Sequence, residues 1–172
     1  MVPLRFNPNK TRRWERFRIR LAVGIVALSM IALELALMRA LSLRFWSHFA
    51  YMVISVALLG LGASGTALTL LRKYVRGRVR PWIAAGGIGL AVTLPLALLG
   101  IEHVHLDVQF LAWDRSQFVG VALVELLLFV PFFFGGVAFT ASLMDAPKRI
   151  PGHYAANLIG SGSGALLAVL AM

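Results

Sequence analysis

Five runs of about twenty apolar residues succeed one another along this chain, at about 21–41, 49–71, 81–101, 118–143 and 154–172. A helix rising ~1.5 Å per residue needs about twenty residues to cross ~30 Å of hydrocarbon. Each run therefore predicts one membrane-spanning helix, and the expected fold is all-α, a polytopic transmembrane helical bundle of about five spans. Composition points the same way: of 172 residues 59% are hydrophobic and 14% charged, whereas a soluble domain carries roughly 25% charged residues. The first run is too long for a signal-peptide core, and no small-residue cleavage site follows it. Pro95 falls inside the third run, and Pro131, with Gly135 and Gly136 after it, is expected to interrupt the fourth.

The formal net charge is +10, which raises the question of nucleic acid, because basic patches are the electrostatic footprint of phosphate binding. The distribution argues against that. Residues 1–20 form a basic arm with Arg5, Lys10, Arg12, Arg13, Arg16, Arg18 and Arg20, and a second cluster, Arg72, Lys73, Arg76, Arg78 and Arg80, fills the short loop between runs two and three. Clusters beside membrane spans orient a chain and attract anionic headgroups. Arg12, Arg13, Arg16, Arg72, Lys73 and Arg76 are the expected lipid-headgroup contacts. With the Lys148–Arg149 loop on the same side, and only Arg39, Arg44 and Arg115 on the other, the positive-inside rule predicts a cytoplasmic N-terminus. The expected location is the cell's inner membrane, and the expected partner is a bilayer with anionic headgroups, not nucleic acid. The loop 102–117, with Phe110 and Trp113, has room for a short interfacial element.

Residues 58–68, LLGLGASGTAL, place Gly60, Gly62 and Gly65 in a G-x-G-x-x-G spacing. A dinucleotide site needs a strand before that turn and a helix N-terminus after it. Here the flanks continue a single apolar run, and bending it would strand backbone polar groups in lipid. Small residues instead allow helices to approach closely. Gly60, Ser64 and Gly65 are expected to form such a face, Gly160 and Gly164 in NLIGSGSGALLA another, and Gly86, Gly87 and Gly89 a third patch.

Ionisable side chains inside a span are costly and suggest function. Glu34 and Glu125 each lie about eight residues from the same end of their spans, so both are expected roughly 12 Å below that surface. There they can meet, with Arg39, Arg44 and His48 nearby, as a polar cluster for a cationic ligand or a proton relay. Against this stands a structural pairing of Glu34 with Arg39. None of the four histidines, His48, His103, His105 and His153, is mid-span. An intramembrane haem normally needs an axial ligand at depth, so no cofactor is expected. No metal site is expected either: cysteine is absent, and His103, His105 and Asp107 read as a solvated loop. Nor does any Ser–His–Asp set occur that would support hydrolysis.

Residues 33–68, LELALMRALSLRFWSHFAYMVISVALLGLGASGTAL, resemble the first two helices of the membrane-embedded, multi-spanning domain of spermidine-synthase-like proteins. The resemblance rests on Glu34 and Arg39, then Leu41 and Ser42, an aromatic turn and the LLGLGASG run. Two further stretches are similar to the same family, LLLFVPFFFGGVAFTASL and HYAANLIGSGSGALLA, although Asn157 stands where that pattern has an aspartate. The resemblance implies a membrane module that precedes or replaces a soluble aminopropyltransferase domain. The glycine-rich strand-turn-helix and acidic residues of that domain do not occur in these 172 residues, so no catalysis is expected. The fifth run reaches Met172 without a polar flank, which suggests a fragment, a split gene product or part of something longer. The expected function is that of a non-catalytic scaffold or a unit binding or translocating a small cation or polyamine. The alternative is an accessory subunit of a larger respiratory or photosynthetic membrane complex, its small-residue faces docked on other subunits.

Overall fold

A computed structural model describes residues 8–44, 48–104, 115–144 and 149–171. They form six helices: α1 (Pro8–Arg44), α2 (His48–Leu70), α3 (Arg72–Val75), α4 (Val79–His103), α5 (Arg115–Leu143) and α6 (Ile150–Ala171). Five of these contain segments long and apolar enough to cross a membrane, Phe17–Leu43, Tyr51–Leu70, Val79–His103, Gln117–Leu143 and Ile150–Ala171. The chain is an all-α bundle of apolar spans. Loop residues 105–114, among them His105, Asp107, Phe110 and Trp113, lie outside the described residues.

Two expected boundaries move. The described part of the basic arm is not separate from the first span, since α1 runs unbroken from Pro8. Arg and Lys are good helix formers, and proline suits the first helical turn, where its missing N–H has no partner to lose. Nor is the fourth span interrupted, because α5 continues through Pro131. A spanning helix tolerates proline where neighbouring helices enclose it, and Pro131 is fully buried.

Close contacts fix how the helices run. Gly60 faces Phe132 and Phe133, and Leu61 and Ser64 face Gly136, so α2 and α5 are parallel. Gly86 meets Phe134 and Ala138 while Gly100 meets Leu127, which makes α4 antiparallel to α5. Gly160 lies on Gly24 and Gly164 on Leu28, so α6 runs parallel to α1. The resulting order is α6, α1, α5 with α2, then α4. α5 supplies the middle of the core with Val124, Leu128, Phe132 and Ala138, packed on Met30, Leu33 and Leu37 of α1, Val53 and Val56 of α2, and Leu90 of α4.

Outward faces carry Leu58, Leu59, Ile88, Leu96, Leu158, Ile159, Leu166 and Leu170, all exposed. Such surfaces suit hydrocarbon, not water. Hydroxyls within the spans bond back into their own helices: Ser64 Oγ donates to the Leu61 carbonyl at 2.7 Å, Thr69 Oγ1 to Gly65 at 2.8 Å, Thr93 Oγ1 to Gly89 at 2.7 Å and Ser142 Oγ to Phe139 at 2.6 Å. That satisfies their polar groups without water, as a lipid-embedded helix requires.

Candidate functional site

The small-residue faces are the spans' contact points, and helical geometry selects which glycines take part. A Cβ added to Gly60 would lie 2.8 Å from Phe132 Cβ and 2.9 Å from the Phe133 nitrogen. Ser64, four residues on, is fully buried and sits over Gly136. Gly65 does not join them: a Cβ there, or at Gly62, meets nothing within 4 Å. At ~100° per residue, position i+4 returns to within about 40° of the starting face, whereas i+5 is turned about 140° away. In α4 the same division leaves Gly87 open, while a Cβ at Gly86 would come 2.5 Å from the Ala138 nitrogen. Gly160 and Gly164, also four apart, both press on α1, where added Cβ atoms would meet the carbonyl oxygens of Gly24 and Leu28.

Glu34 does not meet Glu125. The Met30 side chain packs on Gly135, and with α1 antiparallel to α5 this sets Glu34 level with Pro131. Glu125 lies six residues earlier in α5, about 9 Å away along the axis, and is exposed. Counting depth from span ends fails because interhelical packing, not span length, sets the register. Arg39 is also exposed and forms no ion pair with Glu34. Five residues along α1 turn it about 140° from the carboxylate. Ser42 Oγ donates to the Arg39 carbonyl at 2.9 Å. The side chains of His48, Arg12, Arg13, Arg16 and Arg44 lie outside the described residues.

Glu34 shares an elongated cavity with a polar pair on α6, which lies towards its other end: with Gly160 on Gly24 and Gly164 on Leu28, Ser161 and Asn157 stand nine and thirteen residues from the level of Glu34, about 13 and 20 Å along the axis. The half-buried Glu34 carboxylate lines a cavity of about 180 Å³ with Asn157 and Ser161, walled by Met30, Leu61, Phe132 and Phe139. Asn157 and Ser161 are four residues apart, which aligns them on one face of α6. That spacing is the signal by which the sequence could have disclosed the site. Asn157 thus lines the same cavity as Glu34 and supplies an amide there. At roughly 30 Å³ per water, the space corresponds to about six waters or a small amine. With the carboxylate at one end and the amide and hydroxyl towards the other, its acceptors are spaced for the separated N–H groups of an extended amine.

A different chemistry gathers at the end of the bundle where α1, α4 and α6 begin. The Glu15 carboxylate accepts two hydrogen bonds from Arg80, at 2.6 and 3.3 Å, tying the extended start of α1 to α4. Tyr74 and Lys73 are exposed on α3, whose Val75 is fully buried. Gly77, at φ +88°, then makes the left-handed turn into α4, a conformation glycine adopts without a Cβ penalty. Between this loop, the end of α5 and the start of α6 opens a cavity of about 960 Å³ bordered by Arg72, Arg76, Arg78, Arg80 and Arg149. Lys73, the remaining headgroup candidate of this loop, is not among its lining residues. Among the described residues, no group of three or more His, Asp or Glu is arranged to hold a metal ion.

The chain matches no protein-family model, no curated protein and no solved structure.

Proposed function

We propose that this chain is a non-catalytic membrane module that binds a small cation, a protonated amine of the polyamine class foremost, at Glu34, with Asn157 and Ser161 lining the far part of the same cavity. The observation that carries this reading is the Glu34 carboxylate lining a cavity within the spans that those two polar side chains also line. A carboxylate at that depth is costly unless it serves a ligand, a proton path or a pairing, and its sequence-expected pairing partner Arg39 makes no ion pair with it. The resemblance to the membrane domain of spermidine-synthase-like proteins supports an amine as the ligand. The same proposal sets the basic end of the bundle in the cytoplasm, at the inner membrane, on the asymmetry of Lys and Arg.

The test is spermidine binding to the full chain in nanodiscs, measured by calorimetry. Glu34→Gln is expected to weaken binding at least tenfold, while Glu125→Gln leaves it within twofold. Equal affinity in the two variants, or no binding of spermidine, putrescine or sodium by the unaltered chain, would overturn the reading.

A second reading has its own support. The faces of Gly62, Gly65, Gly87 and Gly162 are open, with nothing within 4 Å of an added Cβ, and close-packing partner helices from a larger complex would fit there. Obligate co-purification with other membrane subunits, together with indifference to Glu34→Gln, would favour it.

A further inference from the structure

We infer that the arginine-bordered cavity at the basic end is a binding site for a molecule carrying two phosphate groups. Clustered arginines beside a span need not form a site, for a flat basic flank serves orientation equally well. This cluster is concave and drawn from separate parts of the chain. Arg72 comes from α3, Arg76 from the position just after it, Arg78 from the turn after Gly77, Arg80 from the first turn of α4, and Arg149 from the entry to α6, around one volume of about 960 Å³. That size lies at the upper end of the ~300–1,000 Å³ typical of small-molecule pockets.

Among the described residues, the lining contains no Asp or Glu. Arg80 is already answered by Glu15, so the excess positive charge is that of Arg72, Arg76 and Arg78. Guanidinium groups bind phosphate oxygens through two parallel N–H donors, a geometry lysine cannot reproduce. The first turn of α4 also borders the cavity, and no side chain caps it at Arg78, so its leading N–H groups and the positive end of its dipole add to the same field. One phosphate would engage one or two arginines, whereas two phosphates, joined directly or through a short linker, match the combined charge of Arg72, Arg76 and Arg78. A two-phosphate lipid headgroup and a soluble diphosphate share this chemistry.

The experiment uses the full chain in phosphatidylcholine nanodiscs and compares retention of cardiolipin, phosphatidylglycerol, ADP, pyrophosphate and inorganic phosphate by native mass spectrometry. Cardiolipin, or pyrophosphate and ADP, is expected to bind at least tenfold more tightly than its one-phosphate counterpart. Retained cardiolipin that pyrophosphate fails to displace assigns the site to lipid, and the converse assigns it to a soluble ligand. Replacing Arg72, Arg76 and Arg78 together by Gln should weaken binding at least tenfold. The same change at Arg12, Arg13 and Arg16, which removes equal charge from the arm, should alter it less than twofold. Should the glutamine variant lose its helix content, the Lys triple at 72, 76 and 78 replaces it: charge is kept, the paired donors are lost, and affinity should still fall about tenfold. Equal losses in the loop and arm variants, unchanged affinity in the Lys triple, or no preference for two phosphates over one would overturn the inference.

Discussion

Replacing Gly160 by alanine should detach α6 from the bundle to a degree that the same change at Gly162 does not. At Gly160 the new Cβ would stand 2.8 Å from the Gly24 carbonyl carbon and 2.9 Å from its Cα. Non-bonded carbons rest at ~3.5–4.0 Å, so the shortfall is at least about 0.7 Å. The obstructing atoms are backbone, so no rotamer change relieves the clash, and the helices must separate along the whole crossing. At Gly164 the nearest carbon, that of the Leu28 carbonyl, would be 3.0 Å away, a slightly smaller shortfall. Overpacking of a tight contact costs about 1–3 kcal/mol. Gly160→Ala is expected towards the top of that range and Gly164→Ala about the middle, whereas Gly162→Ala should fall within roughly 0.5 kcal/mol of the unaltered chain. Unfolding in mixed micelles of rising SDS fraction, followed by tryptophan fluorescence, supplies the comparison. Gly160→Ala as stable as Gly162→Ala would refute the backbone contact between α1 and α6 and, with it, the parallel placement of these helices.

Two further outcomes follow from the same geometry. Gly60→Ala should lower stability by about 1–3 kcal/mol because Phe132 and Phe133 stand in the way, while Gly65→Ala should be near neutral in the same titration. Removing the ion pair by Glu15→Gln should change stability by less than about 1 kcal/mol and lose its effect at high salt, since both side chains are well exposed, at 63% for Arg80 and 46% for Glu15; a larger, salt-independent loss would show that the pair holds α1 against α4.

What could be read from the residues divides along physical lines. The spans were readable because hydrocarbon thickness imposes a length and an unbroken apolar character on each run, so α2, α4 and α6 begin and end within a few residues of the expected limits. The start of α1 was not, since charge marks where lipid ends, not where a helix ends. The uninterrupted α5 was missed because proline's effect depends on whether neighbours enclose it, which is a tertiary fact. Likewise the G-x-G-x-x-G spacing correctly suggested packing, but only Gly60 of its three glycines meets another helix. At Glu34 the sequence supplied the residue and the wrong companion. Register depends on side chains such as Met30 meeting Gly135, and no count from span ends contains that information. The arginines of residues 72–80 were evident as a cluster, whereas the contribution of Arg149 and the hollow between them required the fold.

The pairing of α1 with α6 also bears on how the molecule is made. The α6 residue that covers Gly24 is Gly160, and ribosomes adding ~5–20 residues per second need on the order of ten seconds to travel from one to the other. Throughout that interval the face of α1 at Gly24 and Leu28 lacks its α6 partner. Any intermediate stage of biogenesis therefore carries an unmet glycine crevice, and its closure by α6 is a late step in assembly.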